Sequence, residues 1–285
     1  MPFPFSLLRS SAEAVRATAL ELAILAGHVI LYPTGLAQER RPPPVPPGAP
    51  PAREGPDPPT GGAGAARAAG DVPSPHPPVL LLHGFIDNRS VFVLLRRYLR
   101  QHGWPQVESL NYSPLTCDIR AAAELLGRHV EELCARTGCG RVDVVGHSLG
   151  GLIARYYAQR LGGDARIRTL VTLGTPHGGT RAVPLLSAHP LVRQMRPDSP
   201  VITELTLPAK GCRTRFVSFW SDLDQLMIPV ETARLDHPDL HCRSVRVSGV
   251  GHLALPVHCG VAAGIRQALV AEEAATDASG AVSVA

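Results

Sequence analysis

Lysine is almost missing from this chain: of its 28 basic residues, all but Lys210 are arginine. The bias is compositional, and a net charge of +4 spread along 285 residues leaves no basic stripe of the kind that marks a nucleic-acid binder. Also missing is a Cys-x-x-Cys pair among Cys117, Cys134, Cys139, Cys212, Cys242 and Cys259, which argues against a zinc ribbon or a thioredoxin-like site. An even cysteine count permits up to three disulfides and leans toward an oxidising compartment. A clean membrane span is missing too. Residues 17–36 are mostly apolar, but Glu21 and His28 interrupt them. The run is about the 20 residues a bilayer needs, although a carboxylate is costly in a spanning helix. A secretory signal is the rival, yet no small-x-small cleavage site follows and Glu13 falls where basic residues belong. A third placement is an amphipathic helix packed on the protein or lying on a membrane surface. The three stay open, and the expected location is membrane-associated or secreted, with the cytoplasm not excluded.

Between residues 41 and 78 the composition changes abruptly, and half of the chain's 28 prolines fall there. Such a segment buries too little apolar surface to offset its ordering entropy, so it reads as a disordered linker. A linker makes residues 1–40 separable from the remainder of the chain and favours a tether over a core helix. Residues 272–285 read as a disordered tail.

What is present from residue 79 onward is an alternation. Val79–Leu82, Val107–Leu110, the run from Val142, Ile167–Leu173, 215–220 and 244–247 read as strands. Helices are expected over 90–101, 118–136, 149–161 and 257–270. Strands alternating with helices predict an α/β fold with a doubly wound, mostly parallel sheet and helices on both faces. Residues 181–211 break the pattern with five prolines. A long irregular insertion after a strand's carboxyl end is expected to overhang the site as a small lid.

The chemistry centres on Gly146-His147-Ser148-Leu149-Gly150, a G-x-S-x-G elbow between strand and helix. A serine on so sharp a turn needs near-naked neighbours, which Gly146 and Gly150 supply. The turn puts Ser148 at a helix N-terminus, where an oxyanion is favoured. A serine nucleophile needs a histidine base and a carboxylate to hold it. His252 leads among 12 histidines, since it follows a strand in Gly249-Val250-Gly251-His252 and precedes the last helix. His147 is set aside because adjacent side chains diverge, His177 and His189 because they come too early, and His258 because it falls inside the last helix. Asp224 is the favoured acid, with Asp222 the alternative and the better candidate for a local turn bond. His83-Gly84-Phe85 ends the first strand and offers the Phe85 N–H as a donor. Residues 236–242 carry aspartate, histidine and cysteine, but an open loop is the better reading than a metal site. No cofactor or metal is expected.

On these residues, with Thr172-Leu173-Gly174-Thr175-Pro176-His177-Gly178-Gly179, the chain resembles the bacterial triacylglycerol lipase and esterase group of α/β-hydrolases over roughly residues 78–270. The resemblance implies Ser148, Asp224 and His252 as the triad, and an oxyanion hole from the backbone N–H groups of Phe85 and Leu149. It implies a carboxylic ester hydrolase acting on lipid or small ester substrates. The alternatives are a thioesterase or acyltransferase on the same triad, or a non-catalytic lipid-binding relative. The N-terminal helix adds a possible membrane surface as partner. Neither nucleic acid nor an oligomeric state is indicated.

Overall fold

A computed structural model describes residues 5–35, 76–85, 87–112, 118–182 and 189–270. Most of the expected linker, the expected tail, Cys117 and residues 183–188 of the expected lid lie outside the described residues. The six strands are β1 (Val79–Leu82), β2 (Val107–Leu110), β3 (Val142–His147), β4 (Ile167–Leu173), β5 (Arg215–Ser221) and β6 (His241–Val247). They form one sheet in the order β2-β1-β3-β4-β5-β6, with every neighbouring pair parallel. The chain order reverses beside β1, so a crevice opens at the carboxyl ends of β1 and β3, where sheets of this type bind ligands.

Both faces of the sheet are covered, which is why β1 reads as an unbroken apolar run. Side-chain alternation divides β1 between two cores. Leu80 and Leu82 pack with α3 (Ile119–Thr137) and α4 (Leu149–Arg160), while Val79 and Leu81 pack with α2 (Val93–Gln101) and α7 (Cys259–Val270). The helix α3 starts on an Asp118 cap, whose side chain accepts the Ala121 N–H, and stops at Gly138 with φ 71°. Those are the local signals that begin and end a helix.

Several boundaries differ from expectation for identifiable reasons. The stretch expected as one helix over 90–101 opens as a 3-10 turn, Arg89–Phe92, because Asn88 caps it and accepts the Ser90 N–H. The last helix begins at Cys259, so His258 precedes it rather than lying inside it; the Ala262 N–H donates to the His258 carbonyl. Strand β6 starts at His241 rather than at 244, so part of the expected loop 236–242 is strand. It is an edge strand with mostly part-exposed side chains, which blurs its hydrophobic signal. Asp143, counted within an apolar strand, is fully buried and bonded through both oxygens by Arg168.

The proline-rich insertion is less irregular than expected. It carries α5 (Pro190–Gln194), capped by His189, and α6 (Pro200–Thr206), capped by Ser199. Pro190 and Pro200 start helices instead of breaking them, because a residue in the first turn needs no amide hydrogen. Arg155 on α4 donates to the carbonyls of His177 and Leu205, fastening α6 to the core. The five described cysteines are all free; the even count permitted up to three disulfides without favouring any pairing.

The largest departure concerns α1 (Phe5–Gly35), which lies against the domain instead of hanging from a tether. Ala17 is buried and Ile24 packs on the core shared by α2 and α7. The last carbonyls of a helix have no intrahelical partner. Here Asn88 Nδ2 donates to Tyr32 O at 2.8 Å, Arg89 to Thr34 O at 3.3 Å and Asn111 Nδ2 to Gly35 O at 2.6 Å. No described helix is long and apolar enough to cross a membrane.

Candidate active site

Parallel pairing brings the motifs together. Register places Leu82 beside Gly146, His147 beside Leu173, Leu173 beside Phe219 and Ser221 beside Val247. The loops after β1, β3, β4, β5 and β6 therefore leave the sheet on one edge. Ser148 sits between β3 and α4 with φ 51° and ψ −120°, and it is the only described non-glycine residue with positive φ. Strain of this kind, of order 1–3 kcal/mol, persists where the surroundings over-determine it. They do here. A Cβ on Gly146 would lie 2.5 Å from the Gly151 backbone, and one on Gly150 would lie 2.4 Å from Leu82 O. Neither position accepts a side chain.

His252 is buried, and its Nδ1–H donates to Asp224 Oδ2 at 2.8 Å. The other Asp224 oxygen accepts the N–H groups of Leu226 at 2.9 Å and Met227 at 3.2 Å. Asp224 thus makes the local turn bond expected of Asp222, and the histidine contact as well. Asp222 instead points outward to Arg246, with N···O 2.6 Å. Burial opposes the charged form of His252, but the Asp224 carboxylate and its hydrogen bond outweigh it, helped by Asp87 and Glu21, and raise the pKa above the usual histidine value. With Nδ1 committed to the carboxylate, Nε2 is the nitrogen free for proton transfer.

Ser148 and His252 line one cavity of about 590 Å³. Its walls include Phe85, Val192, Met195, Leu226, Met227 and Leu253, and α1 contributes Leu25, Tyr32 and Pro33. The insertion is therefore one wall, through Val192 and Met195, and α1 is another. Phe85 is half-buried at the cavity and Leu149 is the first residue of α4. A hydroxyl, an imidazole backed by a carboxylate and amide donors in an apolar cleft can together support acyl transfer.

Sequence reading missed several contributors. His147, set aside as diverging, has its ring centroid 4.7 Å from that of His252 and its Nδ1 3.3 Å from the Asp87 carboxylate. Tyr112 stacks on His83 at 4.3 Å and donates to the His83 carbonyl, steadying the loop after β1. Thr175 Oγ1 donates to Ser148 O at 3.0 Å. His177 bonds Thr172 at 2.9 Å; burial, with Arg155 nearby, holds its pKa well below the usual value, so it stays neutral and structural. His189 caps α5 and lies edge-on to Phe85 at 5.0 Å. His237 and Asp239 bond Leu207 O and Ala209 N, joining their loop to the end of the insertion. Glu21 had a signal, as a lone carboxylate in an apolar run.

The palmitoyl protein thioesterase family model matches residues 78–233, more than half of the chain. The chain belongs to the palmitoyl protein thioesterase family. The match includes Ser148 and Asp224 and ends before His252. Triacylglycerol lipases from Burkholderia plantarii and Pseudarthrobacter phenanthrenivorans are each 32% identical to it, over 41% and 36% of this chain. The chain spans about a third of the length of these relatives, 34% in both cases. Among solved structures, mature Bacillus licheniformis lipase BlEst2 superposes with a TM-score of 0.55 at 14% identity, over 65% of this chain and 89% of its own. Aspergillus fumigatus lipase B gives 0.57 at 16%, over 66% and 52%. This member of the family has the α/β-hydrolase fold.

Proposed function

We propose that the protein is a carboxylic ester hydrolase that cleaves lipid acyl esters through an acyl-enzyme on Ser148. The observation that carries this reading is the strained Ser148 sharing an apolar cavity with His252, whose Nδ1 lies 2.8 Å from Asp224. His252 Nε2 takes the Ser148 proton as the serine oxygen bonds to the acyl carbon. The carbonyl oxygen becomes an oxyanion facing the N–H groups of Phe85 and Leu149. His252 then gives that proton to the departing alcohol. Water repeats the sequence on the acyl-enzyme and frees the acid and Ser148. No cofactor enters the chemistry.

A second reading is favoured by the family match: the same triad acting on an acyl thioester, where the leaving group is a thiol. The cavity's apolar walls suit the acyl chain of either substrate. The outward side of α1 exposes Val15, Leu20, Leu22, Ile30 and Leu31, which supports contact with a lipid surface. Steady-state rates on matched oxygen esters and thioesters from acetyl to palmitoyl, with and without lipid vesicles, test all three points. Oxygen esters turned over faster at equal chain length support the first reading, and the reverse supports the second. A fluorophosphonate that fails to label Ser148 sinks both.

A further inference from the structure

The helix α1 brings one carboxylate to the catalytic edge. Glu21 Oε2 accepts the N–H of Leu253 at 2.9 Å, and Oε1 accepts that of Ala254 at 2.9 Å. These are the first two backbone donors after His252. The chain turns tightly here, with Leu255 N–H donating to His252 O and Val257 N–H to Ala254 O, so the donors of 253 and 254 have no local acceptor. Glu21 acts on them as a capping side chain acts on a helix start, through charge-assisted bonds. The loop is shaped to receive it. A Cβ on Gly251 would lie 2.4 Å from Glu21 Cδ. Of the two glycines before His252, Gly249 takes the left-handed conformation with φ 75° and Gly251 does not. Gly251 is thus the open seat for Glu21, not a hinge.

We propose that Glu21 is a positioning residue for His252, so that docking of α1 completes the acid–base apparatus. The proposal rests on the triad reading above. By clamping the two amides that follow the histidine, Glu21 limits the tilt of the imidazole that must meet Ser148 on one side and Asp224 on the other. A misplacement of about 1 Å at such a centre costs on the order of a hundredfold in rate. The charged and titratable groups facing His252 are Asp224 from the loop after β5, Asp87 from the loop after β1, His147 from β3 and Glu21 from α1. Asp87 and Glu21 both raise the pKa of His252. Removing the Glu21 charge therefore lowers that pKa and moves the acid limb of kcat/KM to lower pH.

The test uses full-length Glu21→Gln, Glu21→Ala and Gly251→Ala, with Ala23→Ser on the exposed side of α1 as control. Turnover of a soluble p-nitrophenyl ester is followed against pH, together with fluorophosphonate labelling and thermal melting. Glu21→Ala is expected to lower kcat roughly tenfold to a hundredfold, with KM changed less than about threefold. Its acid limb moves to lower pH. Glu21→Gln retains more activity, since an amide oxygen still accepts one N–H, yet shows the same direction of shift. Gly251→Ala reproduces the kcat loss by evicting Glu21, and the control matches wild type. Wild-type kcat and pH profile in Glu21→Ala overturn the proposal, as does a rate loss that tracks a lower melting temperature with the acid limb unmoved. Wild type that neither turns over the ester nor takes the label overturns the triad reading, and this proposal with it.

Discussion

Two walls of the same cavity are specified in different ways. The elbow from Gly146 to Gly150 is held by what lies next to it: β3 before, α4 after, and glycines where the strand and helix backbones crowd together. The roof, α1, is held by residues far along the chain. Asn88, Arg89 and Asn111 take its last carbonyls, and Leu253 and Ala254 take the Glu21 carboxylate. A short-range device can be read from five residues. A long-range one looks like a stray hydrophobic segment until the acceptors and donors that hold it are in place.

The strongest break of this contrast is at the elbow. Ser148→Ala is expected to lower turnover of a p-nitrophenyl ester by roughly 10⁴-fold or more while the melting temperature is held or rises, since alanine removes only a hydroxyl. The two aspartates come next. Asp224→Asn is expected to cost about 10³- to 10⁴-fold in kcat by disturbing the tautomer of His252. Asp222→Asn loses only a surface ion pair with Arg246, worth at most about 1 kcal/mol, and kcat stays within about threefold of wild type. Equal losses in the two variants would undo the assignment.

The pH profile sharpens the comparison further. His252 must be neutral to accept the serine proton, and its pKa is raised above the ordinary 6.5 because Asp224, with Asp87 and Glu21, outweighs the lowering by burial. The acid limb of kcat/KM is therefore expected above pH 6.5. For stability the sign is opposite to catalysis: a raised folded pKa stabilises the native state below the unfolded value and loses that contribution as pH rises through the folded one. At the elbow, Gly150→Ala forces a Cβ against Leu82 O and is expected to cost roughly 1–3 kcal/mol, read as a lower denaturation midpoint. A modest effect is expected where the roof lines the cavity. Leu25→Phe narrows the cavity from α1 and is expected to shift the preferred acyl length by roughly a few-fold in kcat/KM, below the roughly 10- to 200-fold worth of a full methylene in an apolar pocket.

Much of the fold was legible because its signals are local. Val79–Leu82, Val107–Leu110 and Ile167–Leu173 are strands as read; Val79–Leu82 is the plainest, since a strand buried on both faces shows as an apolar run wherever it lies. The insertion was misread because proline counts as a breaker until its position in a helix is known, and at the first turn it is favourable. His147 was set aside on the rule that neighbouring side chains diverge. That rule holds for the chain direction, but it does not say what the loop after β6 brings alongside; His252 sits there, with ring centroids 4.7 Å apart. Asp222 and Asp224 are two residues apart in one turn, and sequence spacing ranks them only weakly. The separation comes from Arg246 on β6 drawing one outward and His252 holding the other inward.

The chain by itself determined the strand–helix alternation, the strained serine turn and the short set of residues from which an acid and a base must come. These depend on side-chain periodicity and backbone allowance, which act over a few residues. Tertiary structure alone decided that a 31-residue helix roofs the cavity rather than trailing from a linker, because its unpaired carbonyls and the Glu21 carboxylate find partners up to 233 positions away.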